Sequence, residues 1–334
     1  MVSQAKRAGS DITCRSVQLA GTQAPASLET STVHEKDGSR TKLYVALSYI
    51  FCCLVWGTTW YAMRVSVQPN GGYPPNFAAA IRFVIAVVLY VPIWFVLCRK
   101  SRRPTLAEVG WLSLAGTFNG LYQSFIYSSE TAISGGLAAV ISAMSPVMVA
   151  LIAMGTGVEK VSRATLLGFC ACFFGVALVS HDRIQVSPAQ AMAVLFVLIA
   201  AFFNSCSNVT LKGKCTGLHP VVSAMIFLTA TDVPVWIGSV LSGERYQLWP
   251  ISPLPMAAIV YMAIASSIMA FSLYLYMIKH ISLMAISTMP FILPVLALIV
   301  DLFLERSCTL SAETWTGIAV VLGGVVFSVL KRER

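Results

Sequence analysis

Charge is what this sequence has least of. Asp, Glu, Lys and Arg together make up 11% of its 334 residues, while hydrophobic residues make up 57% and mean hydropathy is +0.77. A soluble domain carries about 25% charged residues, so this chain cannot cover a globule with water-compatible surface. The arrangements that support soluble chemistry are missing too. No C-x2-C pair occurs among the nine cysteines, and His34, His181, His219 and His280 have no i+4 partner. That argues against a zinc site or a disulfide framework. No Ser/His or paired-Asp arrangement is evident, so the chain does not read as an enzyme, and no metal or cofactor is expected. Without a Gly-rich loop ending in Lys-Ser/Thr, ATP-driven pumping by this chain alone is unsupported.

Long apolar runs are what the sequence does have. Ten can be read, at 44–66, 77–97, 107–127, 133–154, 164–181, 190–211, 220–241, 256–278, 283–304 and 313–330. Each is close to the ~20 residues that a helix needs to cross ~30 Å of hydrocarbon. The fold class expected is therefore all-α integral membrane. The basic residues orient it, because Lys and Arg gather in cytoplasmic loops. With the N-terminus inside, 18 of the 23 Lys and Arg fall in inside segments. Outside loops hold only Arg183, Arg245 and Arg306, and Arg64 and Arg82 lie within helices near their outer ends. Both termini are thus read as cytoplasmic. The net charge of +9 follows from this bias and calls for no nucleic-acid partner. Residues 1–42 are polar, with no apolar run, and read as a disordered N-tail rather than a signal peptide.

The apolar runs repeat in order. Gly168-x6-Gly175-Val176 near the end of the first half returns as Gly317-x6-Gly324-Val325 near the end of the second. Each follows a proline-bearing run that ends at a glutamate: Ser145-Pro146 leads to Glu159, and Met289-Pro290 leads to Glu305. Val91-Pro92-Ile93-Trp94 recurs as Val233-Pro234-Val235-Trp236, Tyr127 and Tyr276 both end apolar runs, and Trp56–Arg64 can be laid on Asn204–Lys212 at equal length. The domains expected are an N-tail at 1–42, a first five-helix repeat at 43–183, a second at 184–330 and a C-tail at 331–334. Five is odd, so the second repeat must lie upside down relative to the first. Inverted repeats with a site between them are a common build for secondary transporters.

These residues resemble the EamA-type permeases of the drug/metabolite transporter superfamily. The resemblance rests on Leu54-Val55-Trp56-Gly57-Thr58-Thr59-Trp60, on Arg82-Phe83 opening the second helix, and on the spacing of Ser145-Pro146, Glu159 and Gly168. It covers roughly residues 44 to 330. It implies a ten-helix fold with both termini cytoplasmic, and export of a small molecule. Two features depart from the family pattern. Glu305 stands twelve residues before Gly317 where Glu159 stands nine before Gly168, and Ser128-Ser129 replaces the Ala-Leu pair usual at the end of the third helix.

Polar residues inside the apolar runs are the candidates for function, since a charge or amide at mid-depth usually faces a cavity. Asp232 lies near the middle of the seventh run, two positions before Pro234. A carboxyl group stripped of water there could couple transport to protons or hold a cationic group. The alternative is a neutral Asp bonded to a neighbouring helix. Asn119, Tyr122 and Gln123 share one face of the third helix, and Asn204 and Asn208 share one face of the sixth. They are either pocket or interhelical glue. Trp56, deep in the first helix, is a pocket candidate, whereas Trp60 and Arg64 read as interfacial anchors. Glu159 reads as paired in solvent with Lys160.

The substrate-binding set expected is Trp56, Asn119, Tyr122, Gln123, Asn204, Asn208 and Asp232, with Asp232 also the proton-coupling group. The function expected is movement of a small organic metabolite, amino-acid-like or amine/drug-like, across the plasma (bacterial inner) membrane by alternating access. The expected partners are that substrate and the lipid bilayer, with a homodimer left open. A nucleotide-sugar or organic-phosphate exchanger would need several cations facing the cavity and ranks second. A non-transporting membrane protein ranks third. Single cysteines placed at the two termini should both be shielded from membrane-impermeant maleimide in intact cells. Labelling of one end alone would rule out the paired odd-numbered repeats.

Overall fold

The structure is a computed structural model describing residues 27–68, 71–98, 101–129, 132–133, 138, 141–179, 188–215, 217–245, 253–293, 295–296 and 312–330. The helices are α1 (Ser27–Ser66), α2 (Pro75–Cys98), α3 (Leu106–Ser129), α4 (Ser145–Thr156) and α5 (Arg163–Val179), then α6 (Pro188–Lys214) and α7 (Pro220–Leu241). Three more follow: α8 (Pro253–His280), α9 (Leu283–Leu293) and α10 (Ala312–Leu330). Every apolar run read from the sequence holds one of them, and no strand occurs among the described residues. Among the described residues, five spans are long and apolar enough to cross a membrane: Arg40–Ser66, Pro75–Cys98, Ala191–Lys214, Pro220–Leu241 and Pro253–His280.

The chain forms two compact units, Met1–Leu43 and Tyr44–Arg334. Within the first unit, α1 starts at Ser27, so part of the polar tail read as disordered is helical. A helix once nucleated extends cheaply, one hydrogen bond per added residue. Residues 1–26 and 331–334, and Glu130, Asp301 and Glu305, lie outside the described residues.

Proline punctuates the second unit. Pro75, Pro188, Pro220 and Pro253 each open a helix, where their missing N–H would be unpaired in any case. Pro146 does the same for α4, which begins just after a turn at Ala143–Met144. In the matching place of the second half, a turn at Ser287–Thr288 breaks α9 just before Met289-Pro290. The proline-bearing runs of both halves are therefore discontinuous at corresponding points.

Glycine sets how closely the halves approach. A Cβ added to Gly116 would lie 2.4 Å from the Phe227 carbonyl oxygen, and one on Gly120 would lie 2.3 Å from that of Thr231. α3 thus touches the backbone of α7. The two seven-spaced glycine pairs meet each other: a Cβ on Gly175 would sit 2.9 Å from the Gly317 carbonyl, and one on Gly324 would sit 3.0 Å from that of Gly168. α5 and α10 accordingly run in close contact. Pro234 packs its ring over Gly120, where an added Cβ would meet Pro234 Cδ at 2.9 Å. The close fit of α3 fills the space that the missing N–H hydrogen bond would otherwise expose.

Carboxylates at the helix ends also cross between halves. Glu244, after α7, accepts from the N–H groups of Asn76 (3.0 Å) and Phe77 (2.8 Å) at the start of α2. Glu159, after α4, accepts from Leu283 N–H at 2.8 Å, capping α9. Its reading as a solvent pair with Lys160 is corrected on that account: the unsatisfied first N–H groups and the positive end of a helix dipole draw the anion. Gly116→Ala and Gly120→Ala should each lower the thermal midpoint in detergent, at a cost of about 1–3 kcal/mol for overpacking. Gly110→Ala, with nothing within 4 Å of the added carbon, should leave the midpoint unchanged or slightly raised.

Candidate functional site

A cavity of about 160 Å³ lies within the Tyr44–Arg334 unit, walled by both halves of the chain. The first half contributes from α1, α2, α3 and the start of α4, and the second from α6, α7, α8 and α9. Its size is comparable to that of a cavity that accepts a six-carbon ring.

Sequence register places the wall. On α1, Trp56, Thr59, Trp60 and Met63 line the cavity; on α6, Asn204, Ser207 and Asn208 line it. In the alignment of Trp56–Arg64 with Asn204–Lys212, Trp56 corresponds to Asn204, Thr59 to Ser207 and Trp60 to Asn208. The aligned stretches of α1 and α6 therefore present matching positions to the cavity, and i, i+3, i+4 spacing keeps those side chains together. α3 adds Asn119, Tyr122 and Gln123. Six of the seven substrate-binding candidates are brought to one cavity.

Hydrogen bonds fix several of them. Tyr274 Oη donates to Asn208 Oδ1 at 2.7 Å, and Asn119 Nδ2 donates to Thr231 Oγ1 at 3.3 Å. Gln123 differs, since its Oε1 is buried without a partner, as is the Ser142 hydroxyl in the same wall. Buried polar atoms are seldom left unpaired, so these two mark positions where a bound molecule would meet polar groups. Aromatic rings supply the apolar part. The Trp56 and Tyr274 ring centroids are 5.5 Å apart, and Phe227 stacks on Phe271 at 4.5 Å.

Two expectations are corrected. Asp232 does not line the cavity. Its Oδ2 accepts from Trp236 Nε1, one turn along the same helix, at 3.2 Å, and its Oδ1 is buried without a partner. The residue before it, Thr231, takes the inward position and bonds Asn119, which rotates Asp232 off the cavity face. Trp60, read as an interfacial anchor, is 7% exposed and lines the cavity, because it shares the inward face of α1 with Trp56.

Sequence reasoning passed over Arg82. It lines the cavity at 4% exposure. Its Nε donates to Ser267 Oγ and its Nη2 to Ser266 Oγ, each at 3.0 Å, while Nη1 lies 3.4 Å from Tyr127 Oη and 4.0 Å from Met262 Sδ. Ser266 and Ser267 are consecutive, and both face the guanidinium from the π-helical stretch Met262–Ala270. π-segments inside α-helices recur at functional sites. No sequence period announces one.

Comparison with known proteins agrees with this build. Residues 43–181 match the model of the EamA-like transporter family. The chain is 27% identical over 286 residues to the uncharacterized inner membrane transporter YedA of Escherichia coli, covering 83% of this chain and 88% of YedA. It is 23% identical over 317 residues to the uncharacterized transporter sll0355 of Synechocystis, covering 89% of this chain and 92% of that one. With the protein PecM of Dickeya dadantii it shares 24% identity over 285 residues, covering 81% of this chain and 88% of PecM. A solved crystal structure superposes with a TM-score of 0.69 at 17% identity, over 87% of this chain and 98% of the other, and so shares the fold.

Proposed function

We propose that this membrane transporter, with its EamA-like first half, carries a small organic metabolite across a plasma (bacterial inner) membrane by alternating access, in the outward direction. The observation that carries the reading is the cavity walled in matching register by α1 and α6. Two halves that each supply one wall can open it to either side by rocking, as inverted-repeat carriers do. The discontinuities at Ala143–Met144 and Ser287–Thr288 lie beside the cavity, since Ser145-Pro146 and Met289-Pro290 both line it. Broken helices at membrane depth are tolerated where they border such a cavity. Export is favoured by the family resemblance.

The cavity also bears on the choice of cargo. Among the described residues, Arg82 is the one charged side chain in its lining. Lys212 is engaged elsewhere, donating to the carbonyls of Ile278 and Ile281 at 2.7 Å each. A nucleotide-sugar or organic-phosphate exchanger would gather several cations, so the small-metabolite reading stands ahead of it. Asp232 keeps a place as the proton-coupling group, but not as a substrate ligand. It is a half-buried carboxyl group held by Trp236 on α7, one oxygen of which has no partner.

Purified protein in proteoliposomes, offered a labelled metabolite panel, tests the reading. Asn204→Leu and Asn208→Leu should each lower flux about tenfold or more, the loss expected for removing a buried polar contact to a ligand. Wild-type flux in both variants would overturn transport through this cavity. Asp232→Asn should keep substrate exchange at equilibrium while abolishing flux driven by a pH gradient. Unchanged gradient-driven flux in that variant would remove Asp232 from coupling.

A further inference from the structure

We infer that the cargo is a small organic monocarboxylate, and that Arg82 is the group that takes its carboxylate. The inference rests on the cavity being the transport site and deepens that reading by naming the cargo's charge.

A guanidinium cannot be deprotonated in a protein, so Arg82 is a permanent cation. It is nearly fully buried, two turns inside α2, and an isolated ionised group in such a place is costly unless an anion pairs with it. Among the described residues none does. Its partners are two serine hydroxyls, a tyrosine hydroxyl and a thioether, with the Phe83 ring 5.0 Å from Cζ. These are neutral dipoles. They orient the guanidinium but leave its charge uncompensated.

Two described carboxylates of the second half are committed to other donors. Glu244 is held by Asn76, Phe77 and the Ser239 hydroxyl, and Asp232 by Trp236. Among the described residues the remaining lining is uncharged, which leaves the counter-charge to what enters the cavity. The start of α4 points the same way: Ser145 and Pro146 line the cavity, and this helix N-terminus carries no side-chain cap. Helix N-termini favour negative charge.

The rest of the lining describes the remainder of the cargo. One cation suits one negative charge, whereas a phosphate dianion or diphosphate would be left under-compensated. Trp56, Phe227, Phe271 and Tyr274 provide an apolar and aromatic enclosure for a compact body. The unpartnered Gln123 amide oxygen and Ser142 hydroxyl meet a hydrogen-bonding substituent on it. A cationic amine without a carboxylate would face Arg82 with no acid in the wall, which argues against the amine-like cargo considered from the sequence.

Three probes of one shape separate the charges: benzoate, benzamide and benzylamine, with phenyl phosphate as a fourth. Binding to the full-length protein in detergent is followed by tryptophan fluorescence, since Trp56 and Trp60 line the cavity, and by thermal shift at constant ionic strength. Benzoate should bind roughly 10- to 100-fold more tightly than benzamide, the span expected for a charge-assisted hydrogen-bond pair. Benzylamine should bind no better than benzamide, and phenyl phosphate should bind more weakly than benzoate. Arg82→Gln should erase the preference for benzoate over benzamide, and Arg82→Lys should retain part of it. The comparison on the unaltered protein decides the matter even if Arg82→Gln fails to fold. Equal binding of benzoate and benzamide, tighter binding of benzylamine, or no binding by any probe would overturn the inference; tighter phenyl phosphate would overturn its monoanion part. Liposome flux keeps the two claims apart. Benzoate that binds but is not moved sinks transport through the cavity and leaves the anion site standing, whereas flux of neutral or amine cargo without a benzoate preference does the reverse.

Discussion

Helices in hydrocarbon gain little by burying leucine against leucine, because lipid tails already offer the same contact. What holds this bundle together is backbone brought against backbone where glycine removes the intervening Cβ. Gly116 and Gly120 let α3 lie on the carbonyls of Phe227 and Thr231, and the pairs at Gly168/Gly175 and Gly317/Gly324 let α5 and α10 interlock. Each contact joins one half of the chain to the other. The cavity follows, because α3 is fixed to α7 by its glycine face and turns Asn119, Tyr122 and Gln123 into the space beside it. A larger residue at Gly120 would push against Pro234 and the Thr231 carbonyl, and would move the Asn119–Thr231 hydrogen bond with them.

Scarce charge is placed as tightly as the glycines. Glu244 belongs to the second half and caps α2 of the first; Glu159 belongs to the first and caps α9 of the second. Lys212 closes the C-terminal end of α8 by donating to two carbonyls. These groups answer helix ends whose backbone would otherwise be unsatisfied away from water. The Ser128-Ser129 departure from the family pattern fits the same scheme. Asn76 donates to the Ser128 hydroxyl, accepts from Ser124 and bonds Glu244, so the end of α3 joins the cap of α2.

Much of this architecture was legible in the sequence, and the reasons are physical. Apolar length marks a helix in lipid, and polar residues at i, i+3 and i+4 mark its inward face whatever their partners are. That is why Asn119, Tyr122, Gln123, Asn204, Asn208 and Trp56 could be chosen before any fold was known. What remained hidden depends on rotation and on neighbours. Asp232 stands one residue beyond the inward position of Thr231, a step of about 100° around a helix, and depth alone does not reveal rotation. Trp60 is chemically equal to an interfacial anchor, and only packing separates the two roles. Arg82 looked like a residue near a helix end, because the paired serines that hold it come from a π-helical stretch almost 200 residues away. Glu159 could not be read as a cap without knowing that α9 starts beside it.

The aligned stretches of α1 and α6 line the cavity with unlike chemistry, and that difference bears on what the cavity can hold. At matching positions the first half sets Trp56, Thr59 and Trp60, while the second sets Asn204, Ser207 and Asn208. One wall is aromatic and the other is built of amides and a hydroxyl. Two identical walls would suit a symmetrical ligand and give it no fixed orientation. Unlike walls require a molecule with an apolar side and a polar side, and they orient it the same way each time it enters. Arg82 on α2 lines the same cavity and is tied by Ser266 and Ser267 to α8 of the other half. Any relative movement of the two halves would therefore have to stretch or break these hydrogen bonds.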